Sequence, residues 1–213
     1  MLNIITACIR PQNLEKIHRS ILESQANYGS KVPITWYIVL DSRLAPQYLF
    51  LAKILETKEL SFQPEFETHL LVNDSYKTSW ESPINIGLAH IKDGLVCAID
   101  DDNVMHPSFI KCIYPHYLNG SKGFIYHQLL NIDKSYNKRV RFAKHTKIAP
   151  GTVDTAQFCF DRSIIKDIKW CTRSKEPDGA FISLVYSKNK ESIMLVDEIL
   201  CYYNYLSPKF SRV

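Results

Sequence analysis

Short apolar runs alternate with amphipathic stretches through the first half of the chain. Leu2 to Ala7 reads as a buried strand. After Pro11, the residues Leu14, Ile17, Ile21 and Leu22 recur at helical spacing on one face. Ile34 to Leu40, rich in β-branched and aromatic residues, predicts a second strand. It closes on Asp41-Ser42, and Pro46 follows where a first helical turn tolerates it. Phe66 to Val72 predicts a third strand. Pro83 opens a helix that runs to Ile91 and is broken by Gly94. Leu95 to Ile99 is a fourth apolar run, stopped abruptly by Asp100, Asp101 and Asp102.

Strands alternating with helices at these intervals imply right-handed crossovers and an α/β fold around a mostly parallel, doubly wound sheet. The second half is less regular. Pro107 opens a helix, Gly123 to Leu129 predicts a strand, and the polar, basic segment from Asn131 to Lys147 predicts a hairpin or loop. Thr155 to Asp161 is strand-like, Asp178 to Tyr186 helical, and Ile193 to Tyr205 holds one or two strands, giving a mixed, partly antiparallel C-terminal portion. No repeat or linker-like stretch divides the 213 residues, so a single domain is expected.

Ligands of such sheets bind outside the carboxyl ends of the strands. Three polar clusters fall there: Thr6 to Arg10, Asp41-Ser42, and Asp100 to Asn103. Composition narrows the partner only slightly. A formal charge of +4 from 26 basic and 22 acidic residues lacks the dense basic stripe of a nucleic-acid binder, and fits an anionic small ligand. No window approaches the run of about 20 apolar residues that spans a bilayer, and Met1 leads into a strand rather than a signal peptide. The six cysteines show no CxxC spacing and several sit in apolar runs, which predicts buried free thiols in a reducing compartment. A cytoplasmic protein, peripheral at most to the inner membrane face, is expected.

Three adjacent carboxylates at the end of a buried strand repel one another unless a cation joins them. On an extended chain Asp100 and Asp102 share a side while Asp101 points away. Such a pair, with water and phosphate oxygens completing the shell, suits Mn²⁺ or Mg²⁺, and the ion would neutralise a diphosphate leaving group. A solvated acidic turn ahead of the Pro107 helix is the plainer alternative.

The apolar strand, Asp100-Asp101-Asp102-Asn103 and then Pro107 resembles the DxD region of nucleotide-sugar glycosyltransferases with the GT-A fold. Asn85-Ile86-Gly87-Leu88-Ala89, then Gly94, then the aspartates is similar to the pattern of family 2-like enzymes. Arg10-Pro11-Gln12, and Trp36 to Val39 ahead of Asp41, resemble the glucuronyltransferase branch. The resemblance implies a Rossmann-like GT-A domain with a nucleotide-binding half over 1–103 and a sugar- and acceptor-binding half over 104–213. It implies a nucleotide-diphosphate sugar donor, most simply a UDP-sugar, and a glycan or lipid-linked acceptor.

The same resemblance implies individual roles. Asp41 would accept a hydrogen bond from the base, while Thr6 and Arg10 lie beside base and phosphate. Asn85 would reach the ribose or orient the aspartates, of which Asp100 and Asp101 also face the donor. Asp154 and Gln157 would contact the sugar. An inverting transfer needs one carboxylate to take the acceptor proton. Asp178, followed by Gly179 and Phe181, matches that position best, with Glu176 in reserve. Asp178 as a simple helix N-cap is the structural alternative. Trp170 stacks on an acceptor ring or belongs to the core. His106 or His145 is a candidate third metal ligand, and the basic segments Lys138 to Lys147 and Lys209 to Arg212 are candidates to fold over the diphosphate.

Two other classes share some of these features. A nucleotidyltransferase also uses paired carboxylates on an α/β sheet, but normally carries a Gly-rich basic loop after the first strand, which Ala7-Cys8-Ile9-Arg10 is not. A P-loop kinase is excluded by the absence of GxxxxGK[ST]. A non-catalytic nucleotide-sugar-binding module explains the strand-end polar groups but not the second acidic site.

Overall fold

The computed structural model describes residues 1–41, 49–57, 59–73, 82–131, 138–141, 148–170 and 176–206. Among the described residues nine strands form one sheet: β1 (Leu2–Cys8), β2 (Ile34–Asp41), β3 (Glu67–Asn73), β4 (Leu95–Ala98), β5 (Val104–Met105), β6 (Gly123–Asn131), β7 (Lys138–Arg141), β8 (Phe158–Asp161) and β9 (Ile193–Tyr203). Their order is β3-β2-β1-β4-β8-β6-β9-β5, with β7 paired to β6. Strands β1 to β4 are mutually parallel, β8 runs antiparallel to β4 and β6, and β6 and β9 are parallel. The mostly parallel sheet with an antiparallel portion agrees with the sequence reading.

Alternation of side chains on β1 and β2 builds two cores. Leu2, Ile4, Trp36 and Ile38 face helices α1 (Leu14–Tyr28) and α4 (Phe109–Leu118), meeting Leu14, Ile17, Ile21, Phe109 and Ile113. A third helix, α2 (Leu49–Thr57), adds Ile54 to this side. Ile5, Tyr37, Val39 and Val96 face the other way, onto α3 (Pro83–His90) and α5 (Pro177–Asn189) through Ile84, Leu88, Phe181 and Val185. Gly87 of the Asn85 to Ala89 motif has a packing reason, because a Cβ there would stand 2.8 Å from the Ile5 side chain. Leu22 is only half-buried, and the α1 face is completed by Ser20 and Ser24, whose hydroxyls accept the Met105 and Ile110 amides at 3.2 and 3.0 Å.

Three expectations need correcting. The segment predicted as a strand from Thr155 starts at Phe158, because Asp154 and Gln157 close a capping box over the 3₁₀ turn Thr155–Gln157. The first helix of the C-terminal half begins at Phe109, two residues after Pro107. The two-residue strand β5 was not foreseen. The hairpin expected after Asn131 is present as β6 and β7, with Leu130 opposite Arg139. Ser42, Pro46, His145, Cys171 and Lys209 to Arg212 lie outside the described residues. Among the described cysteines, Cys8, Cys97, Cys159 and Cys201 are buried, Cys112 is half-buried, and all five are free thiols. Among the described residues no helix is long and apolar enough to cross a membrane.

Candidate functional site

The chain runs from β1 outward to β2 and β3, then returns to place β4 on the other side of β1. The crevice between the carboxyl ends of β1 and β4 is therefore the topological switch point of the sheet, where ligands of open α/β folds bind. Two groups of residues meet there.

The first is an ionic knot. Asp101 is 1% exposed, and one carboxylate oxygen accepts the backbone amides of Ile9 and Arg10, both at 2.6 Å. Its other oxygen accepts Arg10 Nε at 2.8 Å and pairs with Nη2 at 2.6 Å, while Nη1 pairs with Asp102 at 2.9 Å. The Arg10 guanidinium loses some hydration by burial, but Asp101 and then Asp102 outweigh that and raise its pKa. The extended-chain picture of this triplet does not hold. The Asn103 amide donates to the Asp100 carbonyl at 3.0 Å, so the chain turns, and Asp101 and Asp102 share Arg10 instead of pointing apart. Asn13 Nδ2 donates to the Asp101 carbonyl at 2.8 Å, and the Leu206 amide donates to the Asp102 carbonyl at 2.8 Å. Buried Asn103 accepts the Asn204 amide at 2.9 Å, tying the end of β9 to the same turn.

The second group is a convergence of acids. Asp100 leaves β4 half-buried, and its pKa is raised well above the usual carboxylate range by burial, then by Asp154, Asp178, Asp102 and Asp101. Asp178, in the first turn of α5, is also raised. Burial is the chief cause and Asp154 adds to it, opposed by the Thr155 hydroxyl, the Trp170 indole and the Thr155 amide, which favour the charged form. Asp102 is raised by burial, partly offset by Arg10. The negative potential reaches the buried Cys201 thiol, pushed up first by burial and then by Asp100 and Asp154. Asp154 itself accepts the Thr155 amide at 2.7 Å.

Asp178 is not an N-cap. Glu176 occupies that position on α5, makes no side-chain cap bond and is exposed. The approach of α5 to the preceding loop is close, since a Cβ at Gly179 would lie 2.6 Å from Pro150 Cα. Glycine at 179 thus lets the first turn of α5 press against residues 149–151 and carry Asp178 into the crevice.

Each of the other anticipated residues has partners within the protein. Thr6 is fully buried and its hydroxyl accepts the Trp36 indole at 2.9 Å, so it sits in the α1-side core below the crevice. Gln157 is fully buried, with its oxygen accepting the Asp154 amide at 3.1 Å and its nitrogen donating to the Tyr126 carbonyl at 3.0 Å. It shapes the turn that holds Asp154. Asn85 donates to the Trp170 carbonyl at 2.9 Å and accepts the Trp170 amide at 2.8 Å. Asp41 lies buried at the carboxyl end of β2, opposite Asn73 of β3. His106 accepts the Ser108 amide at 3.1 Å and packs on Tyr202; its charged neighbour is Glu198 rather than the aspartates. Trp170 is 5% exposed and stacked on Phe181 at 4.5 Å, which makes it a core residue.

Thr155 and Asn13 are site residues that the sequence reading does not single out, whereas Asn103 belongs to its third polar cluster. The Asp154-to-Gln157 spacing was a capping-box signal that would have placed Thr155 beside Asp154. Oxygen donors crowd the crevice in the manner a hard divalent cation prefers. Among the described residues, however, no group of three His, Cys, Asp or Glu is placed to hold an ion. Asp100 and Asp102 would need phosphate oxygens and water to complete a shell, as Mg²⁺ commonly requires.

No family model matches the chain, and no curated protein does. Solved structures do. A structure of residues 1–349 of TarS from S. aureus superposes with a TM-score of 0.63 over 95% of this chain at 13% identity. TarS 1–349 in complex with UDP-GlcNAc gives 0.59 over 94% at 14% identity, and its complex with UDP gives 0.58, also over 94% at 14% identity. The chain spans 60%, 57% and 59% of those three chains. The likeness establishes the fold, which is of the GT-A type.

Proposed function

We propose that this protein is a glycosyltransferase that moves a sugar from a UDP-sugar to a hydroxyl acceptor. The observation that carries the reading is the convergence of Asp100, Asp154 and Asp178 at the switch point of a GT-A sheet. The fold is shared with a protein solved with UDP and with UDP-GlcNAc, which supports a UDP-linked donor.

In this reading Asp178 is the general base of an inverting displacement. Its carboxylate takes the proton of the acceptor hydroxyl as that oxygen bonds to the anomeric carbon. The bond from that carbon to the diphosphate oxygen breaks, and UDP leaves with its electron pair. A base works best with a pKa drawn toward the working pH, and burial with Asp154 nearby moves Asp178 in that direction. Mn²⁺ or Mg²⁺, held by Asp100 and Asp102, would supply positive charge to the departing diphosphate. Arg10 stiffens the acidic turn through Asp101, and Asp41 at the neighbouring strand end is positioned for the base. Asp154 lines the sugar side, and Glu176, exposed beside Gly151, faces the acceptor entrance.

The test is UDP release from a panel of UDP-glucose, UDP-galactose and UDP-N-acetylglucosamine. Turnover of at least one donor, lost in Asp178→Ala with UDP affinity retained, is expected. Undiminished turnover in Asp178→Ala would overturn the base assignment, and loss of UDP affinity would make Asp178 a structural residue.

A further inference from the structure

Gln128 stands in β6 two residues beyond Tyr126 and is fully buried. Its place follows from an irregularity in the pairing with β9. Tyr126 pairs with Val196, so an unbroken parallel ladder would set Gln128 opposite Glu198. Two register shifts set it opposite Cys201 instead. Irregularities of this kind re-aim side chains beside functional sites. Here the Gln128 amide nitrogen donates to Asp154 Oδ2 at 3.5 Å, while Asp154 Oδ1 accepts the Thr155 amide at 2.7 Å. Asp154 is thus held from β6 as well as from its own turn.

The other end of the same amide argues against a packing role. Gln128 Oε1 is buried and accepts no hydrogen bond. A buried acceptor left without a donor is costly, and a methionine would fill this space without that cost. Turning the amide over would set its oxygen against a carboxylate oxygen, so the nitrogen is the end that faces Asp154. The separation is long, as hydrogen bonds in a site without substrate commonly are, and such bonds tighten when substrate binds. From this arrangement we infer that Gln128 is a positioning residue for Asp154, the carboxylate that lines the sugar side, and so sets which donor sugar is accepted. Gripped through both oxygens, Asp154 presents its carboxylate to the sugar hydroxyls in one orientation. A site built to hydrogen-bond a hydroxyl discriminates strongly against a donor that lacks it there. This rests on the UDP-sugar reading proposed above.

The contact is tested without substrate, by a double-mutant cycle in urea. Gln128→Met keeps much of the side-chain volume and removes both the donor and the unpartnered acceptor. In the unsubstituted protein these two changes oppose each other, and the midpoint should move little. In an Asp154→Ala background no carboxylate remains to be lost, so Gln128→Met should raise the midpoint clearly. Equal shifts in the two backgrounds would overturn the contact.

The role is tested on the panel of UDP-glucose, UDP-galactose and UDP-N-acetylglucosamine. Gln128→Met should leave the Kd for UDP within about twofold. It should lower kcat/KM for the preferred donor about tenfold, the scale of one hydrogen bond to a charged group, and narrow the preference over the other donors at least about threefold. In the Asp154→Ala background the same substitution should change kcat/KM less than about twofold, because residues acting as a unit are not additive. An equal loss for every donor would show that Gln128 acts through general packing, and would overturn the inference, as would an unaltered preference. Release of UDP from none of the donors by the unsubstituted protein would instead overturn the glycosyltransferase reading on which it rests.

Discussion

Replacing Arg10 with methionine tests how the acidic turn is held. The substitution keeps much of the aliphatic bulk and removes the guanidinium from two carboxylates. The Asp101 side chain is 2% exposed, the Asp102 side chain 13% and the Arg10 side chain 21%. Stripping one partner from a well-buried pair costs about 3–5 kcal/mol. Here the loss falls to about 2–3 kcal/mol, because Asp101 keeps the Ile9 and Arg10 amides and Arg10 already reaches solvent. For a chain of this size that corresponds to a Tm drop of about 4–12 °C. Urea unfolding at neutral pH measures it, as a shift in midpoint at constant slope. Adding Asp101→Asn to Arg10→Met removes the stranded charge and should recover about 1 kcal/mol. A loss under about 1 kcal/mol for Arg10→Met, or additive losses in the double variant, would refute the view that Arg10 compensates a buried Asp101.

Further outcomes follow from the same geometry. Thr6→Val should cost about 1–3 kcal/mol by leaving the Trp36 indole unpaired, with UDP affinity unchanged by calorimetry; weakened UDP binding in a folded variant would return Thr6 to the ligand site. Gly179→Ala should destabilise by about 1–3 kcal/mol, because its Cβ meets the Pro150 backbone, and should lower kcat by displacing Asp178. The folded-state pKa of Asp100 is raised by burial and then by its acidic neighbours, so its charge opposes folding at neutral pH. Between the unfolded carboxylate pKa and the raised folded value only the native state holds the proton, and stability falls as pH rises through that window. Asp100→Asn should therefore be more stable than the unsubstituted protein at pH 7 in urea unfolding, with the gain vanishing in acid, and should lose any stabilisation by Mn²⁺. A less stable Asp100→Asn at pH 7 would contradict this.

The parallel half of the fold was legible because β1, β2 and β4 are buried on both faces and read as mainly apolar runs, as in Ile34 to Leu40. The site was legible at strand ends for the same reason, since polarity there interrupts an otherwise apolar chain. What failed was the step from position to direction. Thr6 looks like a strand-end polar residue, but its register points it at Trp36. The alternation assumed for Asp100 to Asp102 belongs to an extended chain, and the Asn103 amide closes a turn instead. Asn85 was read as a ribose or aspartate contact because its true partner, Trp170, is brought to it only by packing of α3 against the 165–170 segment. The acids Asp154 and Asp178 were separately legible. Their approach to Asp100 was not, because it depends on an antiparallel β8 inserted between β4 and β6.

The central claim is that the carboxyl ends of β1, β2 and β4 form a UDP site completed by a divalent cation. Titration calorimetry of the unsubstituted protein with UDP, in Mn²⁺ and again in EDTA, addresses it directly. Saturable one-to-one binding in Mn²⁺ that weakens at least about tenfold in EDTA is predicted. No binding, or binding of equal strength in both, would contradict it.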